Sequence, residues 1–116
     1  MKYMLMVFTD DQRFQAMDKA EQARVTAPYA AYMEAMGNAG IYKGGERLRP
    51  TSSATTVRVA SGKTEVLNGP YAETKEQLGG YFLIDVPDLD AAISWAARCP
   101  GASHGVIEVR PIWAQE

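Results

Sequence analysis

The chain has 116 residues, 47% of them hydrophobic and 22% charged, with a net charge of −2. That describes one domain, residues 1–116, of ordinary globular composition and large enough to bury a core without covalent staples. Its 12 Lys and Arg are scattered, so the basic footprint of a nucleic-acid binder is missing, and the single cysteine, Cys99, excludes an internal disulfide and a cysteine-rich zinc site.

Tyr3 to Phe8 is apolar on both alternating sets, Tyr3, Leu5 and Val7 on one face and Met4, Met6 and Phe8 on the other. It stops at Thr9-Asp10-Asp11, too short to span a membrane and without a small-residue cleavage site. The pattern predicts a strand with protein on both sides of its sheet. A reducing cytoplasm is the compartment that fits a lone thiol.

Asp10 to Arg13 reads as a polar connection. Asp18, three residues before Glu21, predicts a capping box for the helix that follows. Val25, Tyr29, Tyr32, Met33 and Met36 keep a 3.6-residue phase across Pro28, which predicts one kinked helix rather than two. Gly37 to Gly40 ends it.

Ile41 to Leu48 is a weaker strand whose Gly44-Gly45 pair predicts a bulge or a close backbone approach. Ala54–Val59 and Thr64–Leu67, joined around Ser61-Gly62, predict a half-exposed hairpin with Thr56 and Arg58 on one face and Thr55, Val57 and Val59 on the other. Gly80 to Val86 repeats the two-faced apolar pattern of the first strand. Asp88 caps a helix in which Leu89, Ala92, Ile93, Ala96 and Ala97 form the apolar stripe, with Trp95 at its edge. Pro100 stops that helix, and Gly105 to Pro111 is the last strand, with Ile107 and Val109 on one side.

This order of elements predicts an α+β fold, ferredoxin-like βαββαβ with an extra β-hairpin. Two helices cover one sheet face only, while the two most apolar strands need cover on both. A second copy packed sheet to sheet supplies it, so the expectation is a homodimer with a shared barrel-like interior.

Asn68-Gly69-Pro70-Tyr71-Ala72-Glu73-Thr74-Lys75-Glu76-Gln77-Leu78-Gly79-Gly80-Tyr81, with Asp88-Leu89-Asp90 and Glu108-Val109-Arg110-Pro111, resembles the YCII-related family. More narrowly, it resembles the subgroup named for its Asp-Gly-Pro-Phe run, as do Met1 to Met6 and Gly44 to Leu48. The resemblance implies a dimeric ferredoxin-like α/β barrel and, for the subgroup, an association with extracytoplasmic-function sigma factors. It implies little chemistry. The signature Asp is Asn68 in this chain and the signature Phe is Tyr71, and the first half of the chain carries no histidine to match the broader family's proposed catalytic one.

Asn68 hydrogen-bonds but does not titrate, and Asn-Gly-Pro is first of all turn chemistry. Glu73, Lys75 and Glu76 alternate in charge before a buried strand. At a cleft mouth they would orient a polar ligand; as a solvated turn they would guard the strand against aggregation. Glu46, beside the glycine pair, would project into the same cleft or sit in an exposed salt bridge. Ser103 and His104 do not make a triad by presence alone, and Cys99 has no evident activating neighbour.

Two readings follow. In one, the protein binds a small molecule in a cleft bordered by Glu46, Asn68 and Tyr71. Any catalysis there would fall to Glu73 as acid/base and Lys75 as its electrostatic partner. No phosphate loop, dinucleotide fingerprint or metal cluster is present in the sequence, so the expectation is no cofactor and no metal. In the other reading the chain is a non-catalytic regulatory module whose partner is a sigma factor.

Overall fold

The computed structural model describes residues 1–114. Its main element is a four-stranded antiparallel sheet in the order β2-β5-β1-β6, formed by β1 (Lys2–Thr9), β2 (Tyr42–Arg47), β5 (Gln77–Asp85) and β6 (Val106–Pro111). A separate two-stranded ribbon pairs β3 (Thr55–Ala60) with β4 (Lys63–Asn68). Ser61 and Gly62 both take positive φ at its turn, as the Ser-Gly pair predicts.

The two-faced strands sit in the middle of the main sheet, β1 between β5 and β6. Tyr3, Leu5 and Val7 of β1 and Phe82 and Ile84 of β5 are buried beneath Tyr32 and Met36 of the α3 helix (Pro28–Asn38) and Ala92 and Ala96 of the α4 helix (Leu89–Arg98). Tyr32 meets Phe82 edge-on, with ring centroids 5.5 Å apart. Its hydroxyl donates to the Trp95 carbonyl at 2.8 Å, which ties the two helices together over the sheet. The alternate residues Met4, Met6, Phe8, Tyr81 and Leu83 lie on the opposite face, half-buried only by one another and their neighbours.

The predicted bulge in β2 falls between Tyr42 and Gly44. The predicted close approach is there too. A Cβ on Gly45 would stand 2.6 Å from the Tyr81 carbonyl oxygen, and one on Gly80 would stand 2.8 Å from that of Glu46. Both glycines are therefore needed for β2 and β5 to lie this close.

Four expectations are corrected. The polar connection after β1 is a short helix, α1 (Asp11–Ala16), because Asp10 caps it by accepting from the Arg13 N–H at 3.0 Å. The expected single kinked helix is two, α2 (Lys19–Thr26) and α3, meeting at Ala27. Pro28 begins α3, where its missing N–H costs nothing, and Ala27 keeps helical dihedrals. Asp18 does cap α2, accepting from the Glu21 N–H at 2.8 Å.

In α4 the buried row runs through Ala92 and Ala96 to Cys99 at the C-cap, with Trp95 packed beside it, while Leu89, Ile93 and Ala97 face outward. Alanines at the contact let the helix lie close to the sheet, and this rotates the larger side chains away. Met33 of the predicted α3 stripe is likewise exposed. Lastly, the hairpin is far more than half exposed: every residue of β4 faces solvent.

Candidate functional site

The segment between β4 and β5 is held at both ends. At the start, the Gly69 N–H donates to the Ala54 carbonyl at 2.8 Å, and the Thr56 hydroxyl donates to the Gly69 carbonyl at 2.8 Å. At the end, the Gln77 side-chain amide donates to the Thr74 carbonyl at 2.6 Å and accepts from the Asp11 N–H at 2.9 Å. Asp11 in turn uses one carboxylate oxygen to accept from both the N–H and the hydroxyl of Thr51, at 2.8 and 2.9 Å. One residue of α1 thus pins residues 51 and 77, the two roots of the ribbon and its loop. No local pattern in the sequence marks this role, because it depends on a short helix with one large apolar residue.

Between those anchors the loop is open. Asn68 closes β4 opposite Thr55 and is exposed. Tyr71 is 79% exposed and leans toward the ribbon, with the Arg58 guanidinium 5.9 Å from its ring centroid. A small cavity of about 130 Å³ lies there, lined by Thr56, Arg58, Glu65, Leu67, Pro70 and Tyr71. Glu73 and Lys75 are exposed, and neither forms a salt bridge among the described residues. Glu46 lies on β2 opposite Tyr81, on the sheet face that carries no helices. The chain therefore groups Asn68 and Tyr71 on the ribbon side and Glu46 on the body. The cavity at Tyr71 includes none of Glu46, Asn68, Glu73 or Lys75.

A larger open groove of about 570 Å³ runs on the helix side, between α2 and α3 on one flank and the end of α4 on the other. Arg24, Arg98 and His104 reach it over a floor that includes Val25, Pro28 and Tyr32. Arg98 stacks on Trp95, its guanidinium 4.2 Å from the ring centroid. Sequence spacing gave no sign of this groove, because its residues come from three separate segments. Ser103 and the His104 ring do come within 3.3 Å of each other. Among the described residues no carboxylate bonds the ring, so the pair lacks the third member that orients a triad.

Beneath the helices, burial pushes the Cys99 thiol above its usual pKa, and the surrounding hydrogen bonds only partly oppose that. Burial raises the Tyr29 and Tyr32 phenols as well, with nearby Cys99 the next cause for each. A buried, protonated thiol beside phenols is packing, in agreement with the sequence reading of Cys99. Among the described residues no cluster of three or more His, Cys, Asp or Glu is arranged to hold a metal ion. No helix among them is long and apolar enough to cross a membrane.

This arrangement of an antiparallel sheet with helices on one face belongs to a family. The YCII-related domain matches residues 1–116, so the chain is a member of the YCII-related family. It is also 40% identical over 114 residues to an uncharacterised protein of Rhizobium meliloti (strain 1021), an alignment covering 97% of this chain and 92% of that protein.

Proposed function

We propose that the protein is a homodimeric small-molecule-binding protein of the Asp-Gly-Pro-Phe type, in which two ferredoxin-like sheets close a shared barrel. The observation that carries this reading is the uncovered sheet face. Met4, Met6, Phe8, Tyr81 and Leu83 form an apolar centre there, opposite the helices. Glu46 on β2 and Glu108 and Arg110 on β6 supply charge at its two margins. An apolar floor with a few polar groups at its edge is the usual make-up of a ligand chamber. The strand order β2-β5-β1-β6, with one helical crossover after β1 and another after β5, supports the ferredoxin-like description.

In this reading the loop 69–76 forms the rim. Asn68 and Tyr71 offer hydrogen bonds, Glu73 exchanges a proton in any reaction, and Lys75 stabilises the charge that develops. No organic cofactor is required, and the reading places the protein in the cytoplasm. A thermal-shift screen against polar metabolites tests it. A bound ligand raises the melting temperature by mass action, and the paired substitution Glu73→Ala and Lys75→Ala abolishes that rise. A ligand response that survives the pair unchanged would overturn the rim assignment.

One observation favours a second reading, the regulatory module. Leu89 and Ile93, each 49% exposed, form an apolar row one turn apart on the outer side of α4. A sigma factor docking there would be lost with Leu89→Asp and Ile93→Asp and retained with the Glu73/Lys75 pair.

A further inference from the structure

The groove on the helix side gathers positive charge and no negative charge. Arg24 lies in the last turn of α2 and Arg98 in the last turn of α4, so the two reach it from opposite flanks. Ser103 and His104 follow Pro100 on the Arg98 flank. Among the described residues no Asp or Glu lines the groove, and neither arginine forms a salt bridge. The chain as a whole has more acids than bases, 14 Asp and Glu against 12 Lys and Arg, so composition does not explain an acid-free surface. A helix dipole favours a cation in the last turn, which accounts for one arginine at each helix end. It does not account for both lining one groove without an acidic neighbour.

Local sequence builds the hollow. Pro28 starts α3 where α2 stops, and Ala31 and Ala35, one turn apart on α3, leave space that longer side chains would fill. Val25 and Tyr32 make the floor apolar. Arg98 is held in place before any ligand arrives. Its guanidinium stacks on Trp95 at 4.2 Å, and Trp95 lies against Tyr32, with ring centroids 6.3 Å apart. Stacking occupies one face of the guanidinium and leaves its N–H edge for an oxyanion.

We propose that this groove binds a phosphate monoester carried on an apolar or aromatic body, with the phosphate held between Arg24 and Arg98. Charge decides the headgroup. A carboxylate has a single charge and is filled by one guanidinium fork. A phosphate monoester carries about −1.5 to −2 at neutral pH and has three acceptor oxygens, so it accepts from both flanks at once. His104 adds a ring nitrogen to the donors on the Arg98 flank. Volume decides the body. The groove's 570 Å³ falls within the ~300–1,000 Å³ of sites for small organic molecules and is far more than a phosphate group fills. Lys and Arg elsewhere are scattered, so no basic track continues from the groove for a nucleic-acid backbone. The site lies across the sheet from the chamber proposed above and stands independently of it.

Calorimetric titration of the full chain with phenyl phosphate, inorganic phosphate and benzoate tests the proposal. The variants are Arg24→Gln, Arg98→Gln and the charge-matched control Arg13→Gln. All three arginines are exposed, so the variants should melt with the unmodified protein. Phenyl phosphate binds more tightly than inorganic phosphate, which lacks the apolar body, and than benzoate, which lacks the second charge. Arg24→Gln and Arg98→Gln each weaken it at least about tenfold, while Arg13→Gln leaves it unchanged. Arg98→Lys keeps the charge without the fork and retains part of the affinity. Benzoate binding as tightly as phenyl phosphate overturns the phosphate assignment, and inorganic phosphate doing so overturns the organic body. An equal loss in all three glutamine variants, or no binding of phenyl phosphate at millimolar concentration, overturns the site.

Discussion

The body of the molecule and its ribbon are built from similar residues and treated in opposite ways. In the body, the apolar residues on one side of β1, Tyr3, Leu5 and Val7, are buried under helices. In the ribbon, Val57, Val59, Val66 and Leu67 are as apolar and are all largely exposed. The body closes its core with its own helices, and the ribbon has none to use. The chain covers one face of its main sheet with helices and leaves two surfaces, the other sheet face and the ribbon, without such cover.

The sharpest way to break that contrast is to delete side-chain volume on each side of it. Ile84 is fully buried at the centre of the core, so Ile84→Ala should cost about 2–5 kcal/mol. Val66→Ala on the ribbon should change stability by no more than about 0.5 kcal/mol in dilute, monomeric protein. Urea titrations at low protein concentration measure both, and a ribbon substitution as costly as the core one would show that the ribbon is packed within its own chain.

Alkali probes the same core chemically. Tyr29, Tyr32 and Cys99 all have their pKa raised by burial, from usual values of 10.0 for the phenols and 9.0 for the thiol. A raised folded-state pKa means that the folded protein holds its proton after the unfolded chain has lost it. The stability these groups contribute is complete below pH 9 and is lost as the pH rises through the unfolded values towards the folded ones. Melting temperature should therefore fall progressively above pH 9–10, more gently in Tyr29→Phe. A flat profile to pH 11 would contradict the buried placement.

A smaller effect belongs to the hinge between the two regions. Asp11→Ala removes the acceptor for the Thr51 N–H and hydroxyl, at a cost of about 1–2 kcal/mol. Faster hydrogen exchange should follow at residues 51–77, with the core strands unchanged. Uniform acceleration across the chain would mean that Asp11 supports the whole fold rather than the ribbon and its loop.

These differences also mark what the sequence made legible. The two-faced runs Tyr3–Phe8 and Gly80–Val86 located the central strands, because an apolar side chain at consecutive positions has no other use in a strand. Asp18 and Asp88 announced their helices through local cap chemistry. The α1 helix was hidden because Phe14 is its only large apolar residue, and its hold on Thr51 and Gln77 is tertiary. The rotation of α4 was hidden because hydrophobic spacing does not say whether Ala92 or Ile93 will face the sheet. The residues of the candidate rim were readable from their run of turn and charge, but their position relative to Glu46 was not. That position depends on how the ribbon is held, which no local pattern encodes.

The proposed closure of the apolar sheet face by a second copy can be read from one mass. Light scattering on the purified chain at 10 µM (on the order of tenfold above a micromolar dissociation constant) measures this most directly. A homodimer has a mass near 25 kDa, twice the 12.7 kDa chain. Met6→Lys, at the centre of that face, should return the mass to that of one chain with the helical circular dichroism intact. A single-chain mass for the unmodified protein would contradict it.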